Sequence, residues 1–328
     1  MNQDSFTEKY KAQWQEFENW LNSQDRDIPK DKRPQVSSSV DVPHMYRQLC
    51  HHLSLAQSRN YSAHLIEYLN QLTLRGHQYL YRAKSNTLSG FVNFVFYEFP
   101  SLIRKEWRLF WLASILFYGP VFAVGYAIQK NPELVYSILP PEQVSKFRSM
   151  YDPKAKHIGS DRQSDDDFYM FGFYIYNNIS VGFRTFAGGM LFGLGSIFFL
   201  VYNGLVIGAV GGHLIQVGYS ETFLSFVIGH GAFELTAIII SGMAGLKLGG
   251  ALIRPGLVTR SQALKVAGRT SLKMIYGVIL MLVIAAFLEA FWSSKGSINP
   301  EIKFIVGFIL WGFIVFYFLF IGRRRRAT

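Results

Sequence analysis

Cys50 is the single cysteine in this chain of 328 residues, so neither an intramolecular disulfide nor a cysteine-based zinc cluster can form. The opening MNQDSFTEKYKAQWQEFENW lacks a basic stretch leading into an apolar core and a small-residue cleavage site. No secretory signal peptide is therefore expected, and the N-terminal region is expected to stay in the cytoplasm. Acidic residues are the scarcer sign, 22 Asp and Glu against 33 Lys and Arg, for a net charge of +11. Charge of either sign almost vanishes from the roughly fifty residues after Asp167, a length with room for two spans of about 20 residues, where Arg184 stands alone.

What is present is half hydrophobic by residue count, but unevenly spread. The first hundred or so positions are polar and the rest runs in long apolar segments, the pattern of a polytopic helical membrane protein with a soluble front end. Phe6, Tyr10, Trp14, Phe17 and Leu21 recur at three- and four-residue steps and predict a helix over 4–24. A charged linker, DRDIPKDKRPQVSSSVDVP, follows. From His44 to Arg82 two further helices are expected, with Leu49, Leu53 and Ala56 on one stripe and Leu65, Tyr68, Leu69, Leu72 and Tyr79 on another. Five histidines (His44, His51, His52, His64 and His77) fall here without zinc-like spacing, and are read as solvated or capping groups.

The expected fold is all-α with six spans, at about 109–128, 181–202, 204–218, 230–253, 274–292 and 304–321. Residues 1–107 form the cytoplasmic helical region, 108–322 the membrane domain and 323–328 a basic cytoplasmic tail. Gly119-Pro120 predicts a kink in the first span. Residues 129–167 form an external loop, 168–178 an interfacial or re-entrant helix, YNG at 202–204 a turn, and Gly229 and Gly231 a break beside His230. Arg104, Lys105 and Arg108, then Arg254, Arg260, Lys265, Arg269 and Lys273, and finally RRRR near the end all abut apolar segments. Such clusters orient a protein in an inner membrane with both termini cytoplasmic and meet lipid headgroups, so nucleic acid is not expected as a partner.

Within the apolar half, Gly189, Gly193, Gly204, Gly208, Gly212, Gly245 and Gly249 form four-residue pairs that let helix backbones meet, within one subunit or across a homodimer. Asn177, Asn178, Arg184, Asn203, His230, Glu234 and Glu289 are polar groups in the same half. His230 and Glu234 lie four apart on one helical face. With the expected topology they share a depth with Glu289, Asn177, Asn178 and Arg184, and Arg184 is the natural counter-ion for a carboxylate. Three readings follow: a polar network holding a scaffold together, an ion or solute path at broken helices, or an intramembrane metal-dependent hydrolase with His230, Glu234 and Glu289 as ligands.

Three blocks, FYIYNNISVGFRTFAGGMLFGLGSIFFLVYNGLVIGAVGG, FVIGHGAFELTAIIISGMAGLKLGGALIRPG and IAAFLEAFW, resemble the stage II sporulation protein M family in the same order. The resemblance covers about 168–292 and implies motif residues Asn177, Asn178, Asn203, Gly204, His230, Gly231, Glu234 and Glu289. The family's namesake is a membrane member of a complex that gathers peptidoglycan-cutting enzymes during spore engulfment. Members of the broader bacterial branch commonly occur beside genes for MoxR-type ATPases. The long N-terminal helical region departs from the namesake, so the sporulation role does not carry over. The leading reading is a dimeric membrane scaffold with no cofactor, meeting cytoplasmic partners such as a MoxR-type ATPase system, with a transporter or channel using Glu234 and Glu289 as the alternative; the family has no established enzymatic activity to lend.

Overall fold

The computed structural model describes residues 2–24, 41–80, 87–154 and 167–323. The expected linker up to Val40, the SDD of the acidic stretch and the last five residues lie outside them. The chain divides into two compact units, Met1–Leu88 and Ser89–Thr328.

The first unit holds α1 (Gln3–Gln24), α2 (Val42–Ser58) and α3 (Ala63–Leu80). Asp41 caps α2 by accepting from the His44 amide at 3.1 Å, ahead of Pro43 in its first turn. Phe6, Trp14, Phe17 and Leu21 of α1 bury against Leu49 and Ala56 of α2 and Leu65, Leu69 and Leu72 of α3. These are largely the stripes that helical periodicity marks. His52 departs from the expected solvated role: it is 5% exposed, and its Nδ1 accepts from the Trp14 indole N–H at 3.1 Å. Burial pushes its pKa below the usual histidine value, with the neighbouring His51 adding to the effect.

The second unit begins well before the expected boundary at 107. Its first elements are α4 (Thr87–Asn93), a π-helical turn (Phe94–Glu98) and α5 (Phe99–Lys105). Phe99 and Ile103 are buried in the membrane unit's own core, Phe99 fills the space left by Gly277, and Arg104 donates to the Phe318 carbonyl at 2.8 Å. These contacts, rather than composition, set the division.

The remaining helices are α6 (Trp107–Lys130), α7 (Pro141–Met150), α8 (Asp167–Ala187), α9 (Leu194–Gln216), α10 (Ser220–Ile253), α11 (Arg260–Leu288) and α12 (Pro300–Phe320). A 3₁₀ turn (Pro132–Ser137) precedes α7, and a π-helical turn (Glu289–Ser293) extends α11. The protein is an all-α polytopic membrane protein. Among the described residues, five helices are long and apolar enough to cross a bilayer: α6, α9, α10, α11 with its extension, and α12. The sixth element running the length of the bundle is α8, whose polar residues lower its hydropathy. Asp167 at its start pairs with Lys295 beyond α11 at 2.8 Å, while Gly189 just past its end packs on Gly245, in the second half of α10.

Three expected breaks are therefore corrected. Residues 168–178 are the first half of α8 rather than a separate interfacial or re-entrant piece. The turn expected at 202–204 lies inside α9, where the Asn203 amide donates to the Phe199 carbonyl of its own helix. The chain reverses at 188–193 instead, where Gly193 takes a left-handed φ of 84° that favours glycine. At 229–231, α10 is continuous; a Cβ at Gly229 would meet its neighbours no closer than 3.9 Å. Apolar surroundings favour this outcome, because a helix satisfies its own backbone polar groups. The expected spans 181–202 and 204–218 accordingly become α8 and α9. α6 likewise continues through Pro120.

Buried α10 is the hub, touching α6, α8, α9, α11 and α12. Its 34 residues span about 51 Å at 1.5 Å per residue, well beyond the ~30 Å hydrocarbon thickness. The glycine pairs explain the close approaches within the unit. A Cβ at Gly204, Gly208 or Gly212 would strike the α6 backbone near Phe117, Val121 and Gly125 respectively, and Gly189 and Gly193 back onto Gly245 and Gly249.

Candidate functional site

The polar cluster lies at the end of the bundle where α6 and α9 finish, tied together there by Gln129 donating to the Gly212 carbonyl at 2.7 Å. α10 supplies His230 and Glu234 from one face. Glu289 opens the π turn, a wider coil than an α-helix that recurs at functional sites. One ligand-capable atom from each of the three residues lies within 4.8 Å of the other two. His230 is 5% exposed and both carboxylates are half-buried.

The same π turn orients the imidazole. Ser293 is four residues beyond Glu289, and its hydroxyl meets His230 Nδ1 at 3.0 Å. The Ser293 carbonyl accepts from Lys303 Nζ at 2.8 Å. Lys303, 2% exposed, sits in the first turn of α12, which begins where Asn299 accepts from the Glu301 amide and Pro300 takes the opening position. Its ammonium thus serves a carbonyl that the helix end leaves open.

A cavity of about 470 Å³ adjoins the cluster, lined by Glu234, Glu289, Asn178, Tyr174 and Tyr151, with exposed Gln143, Lys146 and Asn177 also lining it. The segment expected as an external loop closes one side. Val135, Leu139 and Val144 bury against Ile128 and Ala209, and Tyr151 packs on Phe226. Asn177 donates to Asn178 Oδ1 at 3.2 Å, while buried Asn178 Nδ2 has no hydrogen-bond partner among the described residues.

Of the sequence-derived set, His230, Glu234, Glu289, Asn177 and Asn178 come together. Arg184 and Asn203 do not. Arg184 lies six residues beyond Asn178, about 9 Å along the helix, is exposed and makes no ion pair among the described residues. Asn203 is spent on its own helix. Sequence reasoning missed Ser293, Tyr151 and Lys303. Only Lys303 carried a visible signal: a lysine one position before the start expected for the last apolar span.

The model of the stage II sporulation protein M family matches residues 112–294, more than half of the chain. The chain belongs to the stage II sporulation protein M family. A separate domain of unknown function (DUF8413) matches residues 4–82, which take in α1 to α3 except for Gln3. This family member is 30% identical over 121 residues to an uncharacterised protein of Methanocaldococcus jannaschii, an alignment covering 36% of the chain and 68% of the relative. No solved structure matches it. The family match contains His230, Glu234, Glu289 and Ser293 and stops short of Lys303, so in this SpoIIM protein the matched region holds the three clustered groups while α12 supplies the buried ammonium.

Proposed function

We propose that this SpoIIM-family protein takes a cationic solute into an outward-facing cavity, as a transporter or channel that uses Glu234 and Glu289. The observation carrying this reading is the 470 Å³ cavity on which both carboxylates open. A purely structural network would be dry and fully paired, because isolated charge in a membrane interior costs several kcal/mol; here Arg184 is elsewhere and Asn178 Nδ2 is unpartnered. The orientation follows from charge. Arg104, Arg254, Arg260 and the Glu106–Lys247 ion pair of 2.6 Å lie toward the opposite end from the cluster. By the positive-inside rule that end is cytoplasmic, with both termini on the same side of an inner membrane and the cavity facing out.

The α1 to α3 unit, which matches a domain model of its own, favours a second reading: a membrane scaffold that presents these helices to cytoplasmic partners such as a MoxR-type ATPase system. The two readings part in liposomes. Cation flux through the reconstituted full chain, lost in Glu234→Gln or Glu289→Gln at matched incorporation, is the expected result. An absence of flux across several cations and gradients, with the substitutions changing only stability or self-association, would leave the scaffold.

A further inference from the structure

We infer that His230, Glu234 and Glu289 hold one divalent first-row transition metal ion, whose remaining coordination positions face the cavity. The inference rests on the cavity reading above and names its cation. Three ligand atoms within 4.8 Å of one another surround a single point. Ligands about 2.0–2.2 Å from a tetrahedral ion sit roughly 3.4 Å apart, so side-chain adjustments of about an ångström close the set onto a metal.

The donor types narrow the ion. An imidazole nitrogen with two carboxylates suits zinc, manganese or iron, whereas calcium takes six to eight oxygens. Charge points the same way: two carboxylates this close repel one another unless a cation or a shared proton lies between them. Glu234 forms no ion pair with a lysine or arginine among the described residues. Lys303 is directed at the Ser293 carbonyl instead.

The imidazole is also oriented as a metal ligand is. With Ser293 at Nδ1, Nε2 is the nitrogen that would serve the ion, and Lys303 bonds the turn carrying Ser293. Independently of the three ligands, Asn178 is 3% exposed and lines the same cavity with Nδ2 unpartnered. That amide is placed to donate to a water or anion completing the metal's shell.

The test uses the full-length chain in detergent, stripped with a chelator, desalted and titrated separately with Zn²⁺ and Mn²⁺. Bound metal is then read by elemental analysis. Wild type is expected to retain one ion per chain and Glu234→Gln and Glu289→Gln to bind at least ~10-fold more weakly, with Ser293→Ala weaker by ~10-fold through loss of ligand orientation. Arg184→Gln, outside the cluster, should match wild type. If the glutamine variants fail to fold, Glu289→Asp, which keeps the charge and shortens the reach, serves in their place. Sub-stoichiometric binding by wild type, or affinity unchanged across the cluster variants, overturns the inference. Flux without metal binding removes the metal site and leaves the cavity reading; metal binding without flux does the reverse.

Discussion

Two buried histidines mark the contrast between the two units. His52 sits among Phe6, Tyr10 and Trp14 and accepts one indole hydrogen bond. His230 sits beside two carboxylates that line a cavity, and its Nδ1 meets a serine hydroxyl at 3.0 Å. The three-helix unit uses large aromatic side chains to exclude water, a driving force that exists because water is the alternative. In the membrane unit lipid is as apolar as leucine, so cohesion comes from close backbone approach at glycine. His52 in the first unit serves packing; in the second, buried serines and threonines bond helix carbonyls, while Glu234, Glu289 and Asn178 line a cavity.

The harshest way to break the comparison is Gly245→Val. Its Cβ would run into Ser196 Oγ and lie 2.8 Å from the Phe186 carbonyl, and backbone cannot yield as a side chain does. Loss of a monodisperse folded membrane unit is expected in size-exclusion chromatography. Phe17→Ala is the counterpart in the aromatic core, where Phe17 is 1% exposed. It should cost about 3–5 kcal/mol and raise hydrogen exchange across α1 to α3 while α10 stays protected.

The pH dependence of the first unit sharpens the contrast more gently. The folded His52 pKa is depressed, so the unfolded unit binds more protons once pH falls below the ordinary histidine pKa of about 6.5. Stability should be level above neutrality and decline as pH drops below that value, measured by thermal melts, with the His52 contribution to the slope absent in His52→Gln. The smallest effect belongs to the Lys273–Glu98 pair, 2.9 Å apart and with its side chains 53% and 40% exposed. Lys273→Ala should shift stability by no more than about 0.5 kcal/mol, within the scatter of repeated melts.

Much of this was legible from residue order alone, for reasons that can be named. Helical periodicity found Phe6, Trp14, Phe17 and Leu21, because a helix on an aqueous core must segregate its faces. Four-residue glycine spacing found the close contacts, although spacing could not say that α6 faces Gly204, Gly208 and Gly212. Glycine was misleading as a break signal at 229–231, because in lipid an unbroken helix is the lowest-cost backbone. α8 was misplaced because its asparagines and tyrosines resemble an interfacial segment until α10 and α11 pack on it.

For the candidate site, sequence alone determined that His230 and Glu234 share a helical face, since four residues make just over one turn. It also placed charge within apolar surroundings, where charge demands an account. Tertiary structure decided the rest. A π turn brings Glu289 to the pair and Ser293 to the imidazole, Lys303 secures that turn from another helix, and Arg184 falls too far along α8 to act as counter-ion. Those outcomes depend on the register of helices packed across the bundle, and register is set by side-chain and backbone fit between segments distant in sequence.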